Sequence, residues 1–364
     1  KKINLPKVLR RSNTKRNCNT INIVSNAGVP IIKRIIEKTT QKNYDTKNMT
    51  HTILLPEIKE HIPHRHENLL LDTCEIIDET HAVFNITIQQ NDALNRHIFY
   101  KHTPHAVLPN PLLTEIAALG SIVSSGKIEP GTFAYFAAIT NFKCSHPFTG
   151  NKKITGTTTR LSHKNGFFKY KAILENGDST AEANLMAFYD KSAQTPTTEP
   201  IPLDPIIENA LTKKETQIPS STTKPNEMTF IHTTIPISST DTLYSYQYPT
   251  THSLTNGHFP KNPIMMGVCQ WLMLEDAINH LVSTQKQHNN AKSFQTNCNA
   301  IIFKSDLTLV CEIKQAELIT KKTDNTTWDT NSSAVKKILF KQRVMPNDTL
   351  WIHISNIQTI ELSH

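Results

Sequence analysis

The chain has 364 residues, room for two domains of ordinary size, each with its own core. Its net charge is +8, yet residues 1–48 alone hold twelve lysines or arginines against Glu37 and Asp45. That balance of +10 leaves −2 for the other 316 residues, which excludes the broad basic surface of a nucleic-acid binder from the globular part.

Six cysteines (Cys18, Cys74, Cys144, Cys269, Cys298 and Cys311) form no C-x-x-C pair, so neither a zinc site nor a disulfide framework is expected, and a reducing compartment fits. No run of eighteen uncharged apolar residues offers a membrane span, so no membrane insertion is expected. Residues 1–48 are a basic leader rich in Lys, Arg, Asn and Thr. They read as a translated upstream region ahead of a true start at Met49 in a cytoplasmic protein; an organelle-targeting leader is the alternative.

Residues 49–192 form a first unit. It opens with a lead-in segment, Ile62–Asp72, reading Ile-Pro-His-Arg-His-Glu-Asn-Leu-Leu-Leu-Asp. A strand over Ala82–Gln89, a loop over 99–108 and a helix from about Pro111 to Ser125 follow. Four strands come next, over Phe133–Phe142, Lys153–Ser162, Gly166–Leu174 and Ser179–Tyr189, with hairpin chemistry at Asn165-Gly166 and Asn176-Gly177-Asp178. Residues 193–227 are a Pro/Thr/Ser-rich linker interrupted by a short helix over Pro205–Thr212.

Residues 228–364 form the second unit: strands over Met228–Pro236 and Thr242–Pro249, a proline-pinned loop, and a helix over Val268–Leu281. An insertion, 288–331, then carries two runs able to pair as a hairpin, Ala300–Phe303 and Leu307–Ile313, before a strand over Val335–Val344. Phe340-Lys341 with the turn at Pro346-Asn347-Asp348 matches Phe142-Lys143 with Thr149-Gly150-Asn151. From there the first unit runs 47 residues further, to Tyr189, and the second only 24. Two strands are therefore missing from a short C-terminus, through truncation or because the inserted hairpin takes their place in the sheet.

Two stretches carry chemistry. Residues 257–267 read Gly-His-Phe-Pro-Lys-Asn-Pro-Ile-Met-Met-Gly, which brings a histidine base, a helix N-terminus and an apolar wall together. Residues 107–120 read Val-Leu-Pro-Asn-Pro-Leu-Leu-Thr-Glu-Ile-Ala-Ala-Leu-Gly, with Glu115 inside an apolar helix. Burying an unpaired carboxylate is costly, so Glu115 calls for a use. The first stretch resembles the G-H-F-P-G-x-P-x-M-P-G-V signature of the 3-hydroxyacyl-carrier-protein dehydratases of type II fatty-acid synthesis, a hotdog-fold family. The second resembles the later part of that motif, with Pro109 at its third proline and Glu115 at its carboxylate.

The family sets its carboxylate fourteen positions after the histidine. Fourteen after His258 stands Leu272, and fourteen before Glu115 stands Lys101, with His102 and His105 close by. Each unit keeps one half of the pair. The resemblance therefore implies an α+β fold of two tandem hotdog domains, each a long antiparallel sheet wrapped around a central helix, together forming a pseudo-dimer. In it, His258 from the second domain and Glu115 from the first would build one composite site.

The implied reaction is dehydration of a 3-hydroxyacyl thioester, carried on acyl-carrier protein or coenzyme A, in fatty-acid-type biosynthesis; the reverse hydration uses the same groups. In the family's terms His258 is the base, Glu115 the acid and the backbone N–H of Gly267 the oxyanion donor, with Phe259, Pro263, Met266 and Val268 around the substrate. Leu112, Leu113, Ile264, Met265 and Met266 offer an apolar wall that would raise a carboxyl pKa. Lys261 and Met266 depart from the family's glycine and proline. Lys261 either strains the loop by about 1 kcal/mol or meets a phosphopantetheine phosphate or an acidic carrier protein at the tunnel mouth.

No cofactor beyond the substrate's phosphopantetheine and no metal is expected, since His64, His66, His102 and His105 lack a metal-binding helix spacing. His64 and Arg65 read as anchors of the lead-in segment. Glu275 and Asp276, about one turn beyond Leu272, are the alternative acids. An acyl thioesterase would use Glu115 to activate water and leave the histidine without purpose, and a non-catalytic or decayed thioester-binding protein would need neither residue. A higher oligomer of pseudo-dimers is compatible with all three readings.

Overall fold

The computed structural model describes residues 50–101, 106–126, 132–190, 200, 202–219, 225–238, 241–260, 262–284, 291–323 and 327–362. The basic leader, His102, His105 and Lys261 lie outside the described residues. The first half runs β1 (His51–Leu54), α1 (Leu55–His61), β2 (Thr73–Ile76), β3 (His81–Ile86), β4 (Val107–Leu108), α2 (Asn110–Ser124), β5 (Phe133–Cys144), β6 (Phe148–Thr149), β7 (Ile154–Lys164), β8 (Phe167–Asn176) and β9 (Ser179–Asp190). After α3 (Pro205–Ala210) and β10 (Thr216–Gln217) come β11 (Thr233–Pro236), β12 (Thr242–Gln247), α4 (Ser253–His258), α5 (Gly267–Thr284), β13 (Ser293–Lys304), β14 (Leu309–Lys322), β15 (Trp328–Phe340) and β16 (Thr349–Glu361).

Fourteen strands form one antiparallel sheet in the order β1-β2-β3-β7-β8-β9-β5-β15-β14-β13-β16-β12-β11-β10. Each half wraps its own helix: α2 lies against β3 and β7, α5 against β14 and β15. Residues Asn110 to Val123 of α2 are all buried, which is why the helix reads in sequence as an apolar run with no polar stripe. Pro111 fits its first turn, where the missing N–H has no helical partner to lose. Phe84 of β3 wedges between Gly120 of α2 and Gly156 of β7; a Cβ at either glycine would stand 2.3 or 2.1 Å from its ring. The halves join edge to edge at β5 and β15, with Ile139 opposite Ile338. This is the expected pair of tandem hotdogs.

The two halves are not wired alike. Counted outward from the seam, the first half places its post-helix strands β5, β7, β8 and β9 first, fourth, third and second. The second half places β13, β14, β15 and β16 third, second, first and fourth. The second series is the first rotated by two strands. Strand directions survive the rotation because every pair is antiparallel, so the sheet is the same and only the order of assembly differs. The cut falls where the first half has its Asn165-Gly166 hairpin turn. There the start of β13 and the end of β16 lie side by side, with Phe294 opposite Glu361 and the Leu362 amide donating to the Ser293 carbonyl at 3.0 Å. The hairpin expected within 288–331 is thus β13–β14, which takes the third and second places from the seam.

Two further differences from the sequence reading have local causes. β15 begins at Trp328, earlier than expected, because its leading residues are polar yet buried, with Ser332 bound to Trp271 Nε1 at 2.8 Å. The helix in the linker is seated: Ile207 and Ala210 of α3 pack with Ile235, Leu243, Phe303 and Trp351 in a second, smaller core. Residues Asn141, Gln315 and Asn356 have positive φ inside β5, β14 and β16. Register shifts flank all three, and such bulges sharpen the local bend and twist of a sheet.

Candidate active site

Three segments from both halves converge on one cavity of about 340 Å³. Glu115 comes from the second turn of α2 and points into it, 3% exposed. His258 comes from the second half, at the C-terminal end of α4. The sequence suggested a loop there, but His252 accepts from the Leu254 amide and starts a short helix; histidine is not a usual capping signal. His64 completes the group from the lead-in segment. The three residues present donor atoms that all lie within 4.8 Å of one another. Metal–ligand bonds of about 2.0–2.2 Å would require these atoms to draw inward.

Close backbone packing fixes the lead-in segment to α4. The Arg65 amide donates to the Gly257 carbonyl at 2.7 Å, and Asn68 Nδ2 donates to the Leu254 carbonyl at 2.7 Å. Gly257 is needed there: a Cβ would sit 2.2 Å from the Arg65 carbonyl oxygen. Arg65 is the anchor that the sequence suggested, donating to the carbonyls of Ile62 and His64 from Nη1 and of Lys59 from Nη2. His64 is no anchor. Neither of its ring nitrogens has a hydrogen-bond partner, and its ring stands edge-on to His258 at 5.0 Å.

Burial sets the protonation of all three. Desolvation pushes the Glu115 carboxyl up to about 7 and draws His258 down to about 4. His64 is held well below the usual histidine range, first by burial and then by the charges of His258 and Arg65. Near pH 6 the resting site therefore holds an uncharged acid beside two neutral imidazoles. The His258 Nδ1–H donates to the Ile264 carbonyl at 3.0 Å, which leaves the Nε2 lone pair for the cavity.

Gly267 heads α5 and lines the cavity, as do Phe259, Ile264 and Met265. Met266 and Val268 are buried in the core, and Pro263 is exposed; none of the three lines the cavity. Leu112 and Leu113 are also core residues outside the cavity lining. From Glu115 the cavity runs along α2 past Ala118, Ser121 and Ile122, under β5, β8 and β9. Lys341 and Arg343 line it from the turn after β15, and the Arg343 guanidinium sits 4.1 Å from the centre of the Tyr135 ring. Neither alternative acid reaches the cavity. Glu275 accepts from the Ser332 amide at 2.8 Å and Asp276 from the Phe230 amide at 2.7 Å.

The positions that would build a second, symmetry-related site hold different chemistry. Leu272 is wholly buried in the core. Lys101 extends across the seam, its Nζ donating to Asp329 Oδ1 at 2.8 Å, the Thr330 carbonyl at 2.6 Å and Asn331 Oδ1 at 2.9 Å.

Fold and geometry together define a fused double-hotdog protein with a cavity that Glu115, His64 and His258 line from both halves. In sequence the chain is FabZ-like: 150 of its residues, 40% of the chain, are 29% identical to 97% of the 3-hydroxyacyl-[acyl-carrier-protein] dehydratase FabZ of Klebsiella pneumoniae subsp. pneumoniae. The FabZ of Salmonella arizonae matches over the same length at the same identity. No protein-family model matches the chain. Among solved structures, the dehydratase domain from the CurK module of the curacin polyketide synthase covers 79% of this chain and 94% of its own, at 11% identity and a TM-score of 0.40. The dehydratase heterocomplex ApeI:P from Xenorhabdus doucetiae covers 36% of this chain and 90% of its own, at 15% identity and a TM-score of 0.33. The fold assignment rests on the strand order and helix placement described above.

Proposed function

We propose that the protein is a hydro-lyase that dehydrates a 3-hydroxyacyl thioester to the trans-2-enoyl thioester in fatty-acid-type or polyketide-type biosynthesis. The observation that carries this reading is the pairing of Glu115 and His258, drawn from different halves into one buried cavity in complementary protonation states. His258 Nε2 takes the α-proton, and the Glu115 carboxyl gives its proton to the departing hydroxyl, which leaves as water. An amide N–H at the head of α5, with Gly267 the first choice, would receive the charge that develops on the thioester oxygen. The acyl chain would lie along α2 toward Ile122.

The protonation of Glu115 speaks against a thioesterase, which needs an ionised carboxylate to activate water; burial disfavours that form at Glu115. The carrier would be an acyl-carrier protein or coenzyme A, with Lys341 and Arg343 placed to meet a phosphopantetheine phosphate. Lys261, first assigned that contact, remains a candidate from sequence alone.

The test is dehydration of 3-hydroxyacyl thioesters, and hydration of enoyl thioesters, by residues 49–364. Wild-type turnover that falls by about 100-fold or more in both His258→Ala and Glu115→Gln supports the composite site. Turnover that survives Glu115→Gln refutes the pairing. Soluble, folded protein without activity on either thioester class would leave the non-catalytic binding reading.

A further inference from the structure

The dehydration scheme leaves several buried polar side chains of the cavity unused, Gln270 and His64 among them, and of these His64 stands beside the Glu115 carboxyl. Its Nε2 lies 3.7 Å from Glu115 Oε1, and both side chains are 4% exposed. Both His64 ring nitrogens and Glu115 Oε2 lack a hydrogen-bond partner. Orphaned polar atoms are costly to bury, and three of them on two side chains that line one cavity mark an arrangement completed during work. Arg65 already secures the segment through its three carbonyl contacts, so His64 is not needed to hold the chain in place.

We propose that His64 is the positioning residue of Glu115: its ring N–H orients the carboxyl through Oε1 and receives the negative charge left there when the proton departs. This rests on the dehydration reading and adds to it a division of labour within one carboxyl group. Oε1 faces His64, and Oε2, which has no hydrogen-bond partner, carries the proton that goes to the substrate hydroxyl. The proton count closes. The α-carbon proton goes to His258, the C–O electron pair leaves with the hydroxyl, and the Glu115 proton makes that hydroxyl water. What remains is a His258 imidazolium and a Glu115 carboxylate, and transfer of one proton between them restores the resting site. During that interval His64 donates a hydrogen bond to the carboxylate and exchanges no proton of its own. A sub-ångström approach brings 3.7 Å into the range of a charge-assisted hydrogen bond.

The surroundings keep His64 in the role of neutral donor. Glu115 is faced by His64 from the lead-in segment, His258 from α4 and Cys269 from α5, and His64 is faced by His258 and Arg65. A positive Arg65 beside the ring disfavours an imidazolium, so His64 supports the carboxylate without forming a fixed ion pair that would strip Glu115 of its proton in the resting state.

The test reads the Glu115 carboxyl directly, by the pH at which its infrared C=O band disappears, with Glu115→Gln as the blank. In His64→Leu the midpoint should rise by about one pH unit, because the carboxylate has lost its donor. The alkaline limb of the kcat profile should move with it, kcat should fall by about 10-fold or more, and KM should change little. His64→Gln, which keeps an N–H within reach, should restore both readouts. An unchanged midpoint in His64→Leu, or a Gln variant no better than Leu, overturns the proposal. If His64→Leu fails to fold, the wild-type protein with 15N-labelled histidine serves. The His64 ring resonance should shift at the Glu115 midpoint and stay fixed in Glu115→Gln, and no shift in wild type overturns the proposal. A shifted midpoint in protein that turns over no thioester supports the His64–Glu115 coupling and sinks the dehydratase reading. Turnover with an unmoved midpoint does the reverse.

Discussion

Lys101 Nζ lies 2.8 Å from Asp329 Oδ1, wholly inside the protein and across the seam between its halves. In the motif's own spacing Lys101 occupies the histidine's place in the first half, and Leu272 occupies the carboxylate's place in the second. The first of these places holds a structural cluster, with the Glu275 carboxylate a further opposite charge 3.9 Å from the ammonium. A lysine with no exposed side-chain surface is tolerated there because every ammonium proton has an oxygen to meet.

Lys101→Met should destabilise the fold by about 3–5 kcal/mol, since it leaves Asp329 buried beside an apolar side chain. Adding Asp329→Leu should recover a large part of that loss. Urea titrations of the two variants measure both effects. Turnover per folded molecule, assayed well below the melting point, should stay near wild type, because the cluster is not part of the composite cavity.

The stability of the protein should carry the mark of Glu115. Its carboxyl is held up to about 7 in the fold, against an ordinary value of 4.5. A raised acid binds more protons folded than unfolded, so this contribution is complete below 4.5 and is lost as pH rises toward 7. Glu115→Gln removes the dependence. The variant should therefore gain on wild type through that window, by about 3 kcal/mol at its upper end. His258, drawn down to about 4, works the other way: its stability is lost as pH falls from 6.5 toward 4. Comparing each single variant with wild type by denaturant unfolding at several pH values separates the two slopes.

Gly257→Ala should injure turnover more than folding. The new Cβ would lie 2.2 Å from the Arg65 carbonyl oxygen and 2.5 Å from Asn68 Nδ2. The lead-in segment must then back away from α4, taking His64 with it and tilting His258. A displacement near 1 Å at the reacting groups costs about 100-fold in rate. The expected result is a kcat loss of that order with far-ultraviolet circular dichroism unchanged.

Ala118 stands one helical turn beyond Glu115 and lines the cavity where the acyl chain would pass. Ala118→Leu should leave turnover of butyryl-length 3-hydroxyacyl thioesters largely intact and reduce kcat/KM for decanoyl-length ones by about 10-fold or more. Equal loss on both lengths would place the acyl chain elsewhere.

Much of this molecule was legible in its sequence, for a reason particular to the motif. His258 and Glu115 each sit in a contiguous stretch whose spacing betrays them, and an acid in an otherwise apolar helix is conspicuous on energetic grounds alone. His64 escaped because nothing near it in sequence signals a partner. Its carboxylate and its neighbouring imidazole arrive from two other segments, and the adjacent Arg65 offers a sufficient structural explanation for the motif. Pro263 was misleading in the opposite sense: it belongs to the motif by position, but its task is to turn the chain, and it ends up exposed. The rotated strand order was invisible because side-chain alternation records which face a residue takes and carries no record of which strand lies beside it. The polar start of β15 hid for want of Lys101 and Trp271, the distant partners that make those polar residues compatible with burial.

The rotated wiring also bears on how the chain is made. On a ribosome, the first half has all its strands once β9 has emerged. The second half does not, because β16 belongs between β12 and β13, both synthesised well before it. Until Thr349–Glu361 clears the exit tunnel, β12 and β13 present facing, unpaired edges, the kind of surface that recruits a neighbouring nascent chain or a chaperone. β16 is the keystone of its half-sheet, so loss of Thr349–Glu361 would open both β12 and β13.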